Sequence, residues 1–366
     1  MDSRLTAILL VSFFCLIALR KFAIIVNLVD SPSERKHHQG SVPLVGGLAI
    51  FFTVALFLLL TPNLEGNTVL YLLFAAILIA TGTLDDKFDI SVKARLIIQF
   101  IITLMMVSLG DIQLTTLGNI SGWGDITFTN ALAIIVTFLA VAGAINAFNM
   151  VDGIDGLLGG LSVITFSSMA YLFDLGGQSD LYQLSLLIVF ATLPYILLNL
   201  GFPFGRRLKI FMGDAGSMLI GFTVVWLLLS GSQSEVSSFR PVTALWLIAL
   251  PLMDMAAIMI RRVRKGQSPF KPDREHLHHI CQRIGLSAKM TLLAICSVAV
   301  IFAAIGIIGE MNNIRESVMF FSFVLMFACY YTAICHIWRV TTFIRKVSTL
   351  LSLNKETPTA SDSEQR

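Results

Sequence analysis

Apolar runs long enough to cross about 30 Å of hydrocarbon as helices, at roughly 20 residues each, recur down the whole length of this chain. Eleven can be marked, at approximately 5–27, 44–61, 67–84, 94–110, 130–147, 157–174, 181–200, 217–231, 241–261, 291–309 and 317–337. With 56% of its 366 residues hydrophobic and only 13% charged, the chain lies far outside the range of a water-soluble globular domain. A membrane β-barrel would need alternating strands, which these runs lack. The expected fold is therefore an all-α integral membrane protein, a bundle of about eleven transmembrane helices. Arg20 and Lys21 follow the first run where a cleaved leader would carry small residues, so that run reads as a retained helix. Residues 1–354 are expected to form a single polytopic domain, with 355–366, polar and rich in Ser, Thr and Glu, as a disordered tail.

Charge sets the orientation. With the N-terminus outside, eleven crossings put the loops at 28–43, 85–93, 148–156, 201–216 and 262–290 inside, together with the tail after 337. Of the 26 Lys and Arg residues, all but Arg4, Arg240 and Arg315 then fall on the inner side, a strong positive-inside bias. One helix more or fewer would invert half the chain and destroy it. The five cysteines, Cys15, Cys281, Cys296, Cys329 and Cys335, contain no C-x-x-C pair and argue against disulfides or zinc.

Acidic residues are scarce, yet Asp85, Asp86, Asp89, Asp152, Asp155 and Asp214 all fall at the inner boundary, in three separate loops. Each singly could be a helix cap. Together, on one side and facing a basic loop, they read as a site, because carboxylates near hydrocarbon tend to be partnered and functional. Asp85 and Asp86 are adjacent and repel, so the pair needs a cation or a shared proton. Asp89 precedes the expected start of the fourth helix and reads more simply as its cap. Asn146, Asn149, Asp152 and Asp155 recur every three residues. Three such steps in a continuous helix would put Asp155 opposite Asn146, so the helix must break if all four share a site, and Gly153 and Gly156 are suitable places. Asp214, between Gly213 and Ala215 at the start of the eighth helix, has room for a ligand beside it. Mg²⁺ takes only one or two protein carboxylates and fills its shell with water and phosphate, so one exposed Asp is a plausible ligand. Asp254 reads as structural, paired inside the bundle.

The longest inner loop carries Arg262 and Arg264, then His276, His278 and His279. Guanidinium groups bind phosphate bidentately, and imidazoles can donate to a diphosphate or a uracil carbonyl. A solvated positive-inside loop explains the arginines but not the histidines. Arg35, Lys36, His37 and His38, ahead of Gly46 and Gly47, form a weaker basic patch at a helix start.

These segments, namely 30–47, Asp85 and Asp86 with Lys93 and Gln99, 146–157, 211–217 and the H-x-H-H motif at 276–279, resemble in order the polyprenyl-phosphate N-acetylhexosamine-1-phosphate transferases. The H-x-H-H form and the Arg35 and Lys36 segment are most similar to the enterobacterial GlcNAc-1-phosphate branch of that family. The resemblance implies a ten- or eleven-helix bundle with catalytic loops on the cytoplasmic side of a bacterial inner membrane, and a periplasmic N-terminus. It implies Mg²⁺ or Mn²⁺, UDP-GlcNAc as donor and undecaprenyl phosphate as acceptor, at the initiating step of a lipid-carried polysaccharide such as O-antigen or enterobacterial common antigen. No nucleic-acid partner is implied, and an oligomer is left open. By motif position, Asp214 would hold the metal, Asp85 and Asp86 with Lys93 would position or deprotonate the lipid phosphate, and Asn146, Asn149, Asp152 and Asp155 would serve the nucleoside and catalytic centre. His276, His278 and His279 with Arg262, Arg264 and Lys36 would bind the donor. Whether an Asp acts as base or nucleophile is not readable from spacing. The D-D-x-x-D pattern at 85–89 also matches a prenyltransferase diphosphate motif, but one such motif gives the histidines no role. An ion-coupled transporter would want carboxylates at the midplane, which Asp254 alone fits.

Overall fold

The computed structural model describes residues 3–30, 40–61, 66–234, 236–269 and 276–336, apart from the side chain of Arg206. Arg35, Lys36, His37, His38 and the 355–366 tail lie outside the described residues, as do Asp273, Arg274 and Glu275.

Each apolar run is helical, as it must be where no water is available to satisfy backbone groups. The chain forms α1 (Ser3–Ile25), α2 (Gly46–Leu59), α3 (Gly66–Phe88), α4 (Val92–Gly110), α5 (Asn130–Val151), α6 (Leu157–Leu175), α7 (Ser179–Asn199), α8 (Gly213–Gln233), α9 (Pro241–Leu247), α10 (Ala249–Arg264), α11 (Leu277–Arg283), α12 (Ala288–Met311) and α13 (Glu316–Cys335). Among the described residues, nine of these helices are long and apolar enough to span a membrane, and α9 with α10 makes a bent tenth. The second run, α2, has 14 helical residues, about 21 Å at 1.5 Å per residue. Its chain enters extended instead, through a short antiparallel pairing of β1 (Val29–Asp30) with β2 (Val42–Pro43). Outward-facing Phe14, Phe22, Ile101, Leu293, Ile301, Phe321 and Leu325 are exposed, as residues in contact with lipid tails would be.

α8 is the axis of the bundle, buried along nearly its whole length. Small residues let neighbours approach its first turns: a Cβ on Gly47 or on Gly82 would strike the backbone at Gly216 or Ala215, the close packing that holds helices together without a hydrophobic driving force between them. Farther along, Tyr71 on α3 shares a 2.9 Å hydrogen bond with Thr223, and its ring packs on Phe222 and Trp226. The first N–H groups of α2 are satisfied from the strand before α8, Gly46 N donating to Phe211 O at 2.9 Å and Gly47 N to Met212 O at 3.1 Å.

The ninth apolar run, continuous in sequence, is broken in space, with α10 bent 82° from α9. Pro251 supplies the reason. It has no N–H to give the carbonyl of Leu247, four residues earlier, and its ring crowds that carbonyl. The freed Leu247 O instead accepts from Thr165 Oγ1 on α6 at 3.4 Å.

Alternate crossings divide the loops between two ends. One end carries Asp85, Asp152 and Asp214. At the other, Arg4 donates to Gln183, Arg240 pairs with Glu310 at 3.1 Å, and Glu316 accepts from the backbone of Asn119 at 3.0 Å.

Candidate functional site

The adjacent carboxylates at the end of α3 part company. Asp85 is 3% exposed at its side chain and pairs with Arg95 Nη1 at 2.6 Å, while its other oxygen accepts from Ile90 N at 2.8 Å. Asp86 reaches across to the start of α8 and accepts from Asp214 N at 2.8 Å and Ala215 N at 3.3 Å. Its oxygens thus sit at the positive end of a helix dipole and cap two orphan donors. Gly213 makes room: its φ is +75°, and a Cβ there would lie 2.5 Å from Asp86 Oδ2. The cation that two repelling carboxylates require is therefore supplied twice, by a guanidinium and by a helix N-terminus. The oxygens expected to meet a lipid phosphate are bound to protein donors. Lys93 is exposed on the first turn of α4, and it is Arg95 that reaches Asp85. Asp89 does not cap α4, because Ser91 does, accepting from Ala94 N, and Asp89 takes a left-handed φ of +53°.

Asp214 stands in the first turn of α8. Asn149, in the last turn of α5, donates through Nδ2 to Asp214 Oδ1 at 2.6 Å and Ser217 Oγ at 2.8 Å, which fixes the carboxylate plane. Asn146, one turn earlier, donates to its own helix at Ala142 O and lines a small pocket with Arg95, Gln99 and Asn149. It is not joined to Asp214. The expected break occurs at 152–156, between α5 and α6. Asp152 is exposed in the turn between α5 and α6. Loss of bulk water, then the charges of Asp214 and Asp155, raise its carboxyl to about 7. Asp155 pairs with Lys209 at 2.6 Å. Gly156, at φ +81°, donates to Asn199 Oδ1 at 2.5 Å, and Asn199 Nδ2 donates to Ile210 O at 2.8 Å. One buried asparagine thus ties the break to the segment that leads into α8.

The histidine segment closes the other side. Asp254 on α10 accepts from His276 Nδ1 at 2.9 Å and Leu277 N at 3.1 Å, so it is paired inside the bundle as its position implies. The His276 and His278 rings lie parallel, 5.9 Å apart, and His278 and His279 are 4.2 Å apart. His278 is buried, and its Nε2 finds no partner among the described residues. Burial first, then His279 and His276, lower its pKa to about 3. Burial thus disfavours its charged form. Its ring packs on Gly153, where a Cβ would overlap it, so the glycine admits the imidazole. Arg262 is buried and donates to Pro269 O at 2.5 Å, bracing the loop. Arg264 lies over the Tyr331 ring at 5.2 Å.

Among the described residues, no three His, Cys, Asp or Glu side chains converge as a metal cage. The donor set still suits Mg²⁺, a hard cation that needs few protein oxygens beside phosphate and water: Asp214 is oriented by Asn149, with other carboxylate charge close by.

Residues 68–232, from α3 to the end of α8, match the family described as glycosyl transferase family 4. Over nearly its whole length the chain is similar to curated proteins named undecaprenyl-phosphate alpha-N-acetylglucosaminyl 1-phosphate transferase. Identity is 46% with that of Yersinia pestis, over 94% of each chain, and 45% with that of Salmonella typhimurium, over 97% of this chain and 96% of the relative. It is 44% with that of Escherichia coli K12, over 96% and 95%. The chain belongs to this transferase family. Within the transferase, the family 4 segment holds every acidic residue of the site but ends before Asp254 and the histidines. Reasoning from sequence did not single out Arg95, Lys209 or Asn199. Each is a pairing across 10, 54 or 43 residues, and the only local signal was a polar side chain ending or flanking an apolar run.

Proposed function

We propose that this transferase moves GlcNAc-1-phosphate from UDP-GlcNAc to undecaprenyl phosphate, giving undecaprenyl-diphospho-GlcNAc and UMP, with Mg²⁺ or Mn²⁺, at the cytoplasmic face of a bacterial inner membrane. The observation that carries the reading is the near-full-length likeness to transferases of that name, which spans both the acidic cluster and the histidine segment. Orientation is supported by charge. Arg4, Arg240 and Arg315, the Lys and Arg residues expected outside, sit on helices whose adjoining ends lie opposite the acidic cluster.

A lipid-phosphate oxygen attacks the β-phosphorus of the donor, a new P–O–P link forms, and the bond from the β-phosphorus to the bridging oxygen breaks as UMP leaves. Two anions must meet, and a divalent cation, which Asp214 would hold, would supply the charge neutralisation that this requires. Asn149 holds the Asp214 carboxylate in one orientation, and Asp86 holds the helix end on which it stands. Asp85, Asp86 and Asp155 are engaged by Arg95, by α8 and by Lys209. Asp152 is exposed and accepts no side-chain hydrogen bond among the described residues, so its carboxylate is free to take the lipid phosphate's proton. The start of such a polymer is the step that this product serves. The test is UMP release by purified protein given UDP-GlcNAc, undecaprenyl phosphate and Mg²⁺. Release that needs both lipid and metal supports the reading. Activity with another UDP-sugar instead would keep the chemistry and change the donor, and silence with every nucleotide sugar would overturn it.

A further inference from the structure

Asp254 is 2% exposed, and no step above uses it. Besides His276 Nδ1 and Leu277 N, its carboxylate accepts from the hydroxyl of Tyr330 on α13 at 2.7 Å, a contact across 76 residues. A buried carboxylate is costly unless it is fully partnered. Here every donor either begins the histidine segment or comes from a helix packed against it. An ionised carboxylate can only accept, so His276 carries its proton on Nδ1 and turns the other ring nitrogen away from Asp254. The His276 ring lies parallel to His278, and His278 bears on Gly153 in the acidic turn. A continuous set of contacts therefore runs from Tyr330 through Asp254, His276 and His278 to the 152–156 break.

We infer that Asp254 and Tyr330 are positioning residues for the transfer reaction: they fix the tautomer and plane of His276 and, through the ring stack, hold the histidine segment against the acidic turn. α13, which contributes no group to the acidic cluster, is then a working part of the site. This rests on the transferase reading above. Outer partners that orient a functional imidazole are commonly worth about 10–100-fold in activity.

Asp254→Asn keeps the shape and removes the charge, and Tyr330→Phe removes one hydroxyl. The experiment measures kcat for UMP release by wild type, Asp254→Asn, Tyr330→Phe, His276→Ala and the double variant Asp254→Asn/His276→Ala. Expected is a loss of roughly 10–100-fold for Asp254→Asn, a smaller loss for Tyr330→Phe, and a double variant no slower than His276→Ala, because Asp254 acts through that ring. A residue that only stabilised the fold would give multiplied losses. Should Asp254→Asn not survive purification, Tyr330→Phe with and without His276→Ala carries the same comparison. Wild-type rates in Asp254→Asn and Tyr330→Phe, or multiplied losses in the double variant, would overturn the inference and leave the transferase reading standing. A silent wild-type enzyme would overturn both.

Discussion

Gly153→Ala isolates the contact between the acidic turn and the histidine segment. The glycine's backbone is one an alanine can adopt, since Gly153 is absent from the positive-φ residues. The whole effect of the new methyl therefore comes from what it meets. It would overlap Nε2 and Cε1 of His278 and lie 2.8 Å from Cδ2. Ordinary carbon contacts sit at about 3.5–4.0 Å, so the imidazole must retreat by roughly 1–1.5 Å. His278 is 3% exposed and stacked on His276, so it cannot retreat without carrying the segment with it. Displacements of about 1 Å at a reacting centre cost on the order of 10²-fold in rate. The overlap costs about 1–3 kcal/mol as overpacking, of which alanine's restriction of the unfolded chain returns about 0.4–1 kcal/mol. The assay is initial UMP release in detergent, beside a thermal unfolding curve. Expected is a loss of about 10²-fold with a modest drop in melting temperature, and no additional loss of either when the substitution is made in His278→Ala, where the ring is gone. A fully active Gly153→Ala, or one equally harmful without the ring, would refute the reasoning.

Asp214→Ala should abolish turnover while expression stays near normal, and near-wild-type activity would remove the metal assignment. Arg95→Leu leaves Asp85 buried and unpaired, a loss of about 3 kcal/mol, at the low end of the range for broken buried pairs because Arg95 is partly exposed. Adding Asp85→Leu should recover much of it, as read by thermal unfolding, and no recovery would argue against the pair. Thr165→Val strips the hydroxyl from Leu247 O at the bend and should cost about 1–3 kcal/mol. An unchanged melting temperature would show that this carbonyl is satisfied otherwise.

The apolar runs made the helices legible, and the carboxylates at one boundary marked the end of the bundle that holds the site. The helix break at 152–156 could be argued from the three-residue spacing of Asn146, Asn149, Asp152 and Asp155, because that spacing fails on a continuous helix. Partner choice was not legible. Asp85 with Arg95 and Asp86 with the start of α8 depend on which helix ends meet in space, a tertiary outcome that the local rule of a cation or a shared proton does not name. Asp254 was legible as paired but not as the acceptor for His276, since 22 residues of chain separate them. The bend at Ile248 had its signal in Pro251, hidden by the unbroken hydrophobicity around it. The charged form of His278 is disfavoured by burial, which a polar motif does not advertise.

The central claim is that a phosphorus atom, not only a sugar, is transferred. It is tested most directly by giving the purified protein UDP-GlcNAc labelled with ³²P at the β-phosphorus, with undecaprenyl phosphate and Mg²⁺. The account predicts that the label moves into the lipid fraction while unlabelled UMP is released. Label retained in UDP, with the sugar alone on the lipid, would contradict it.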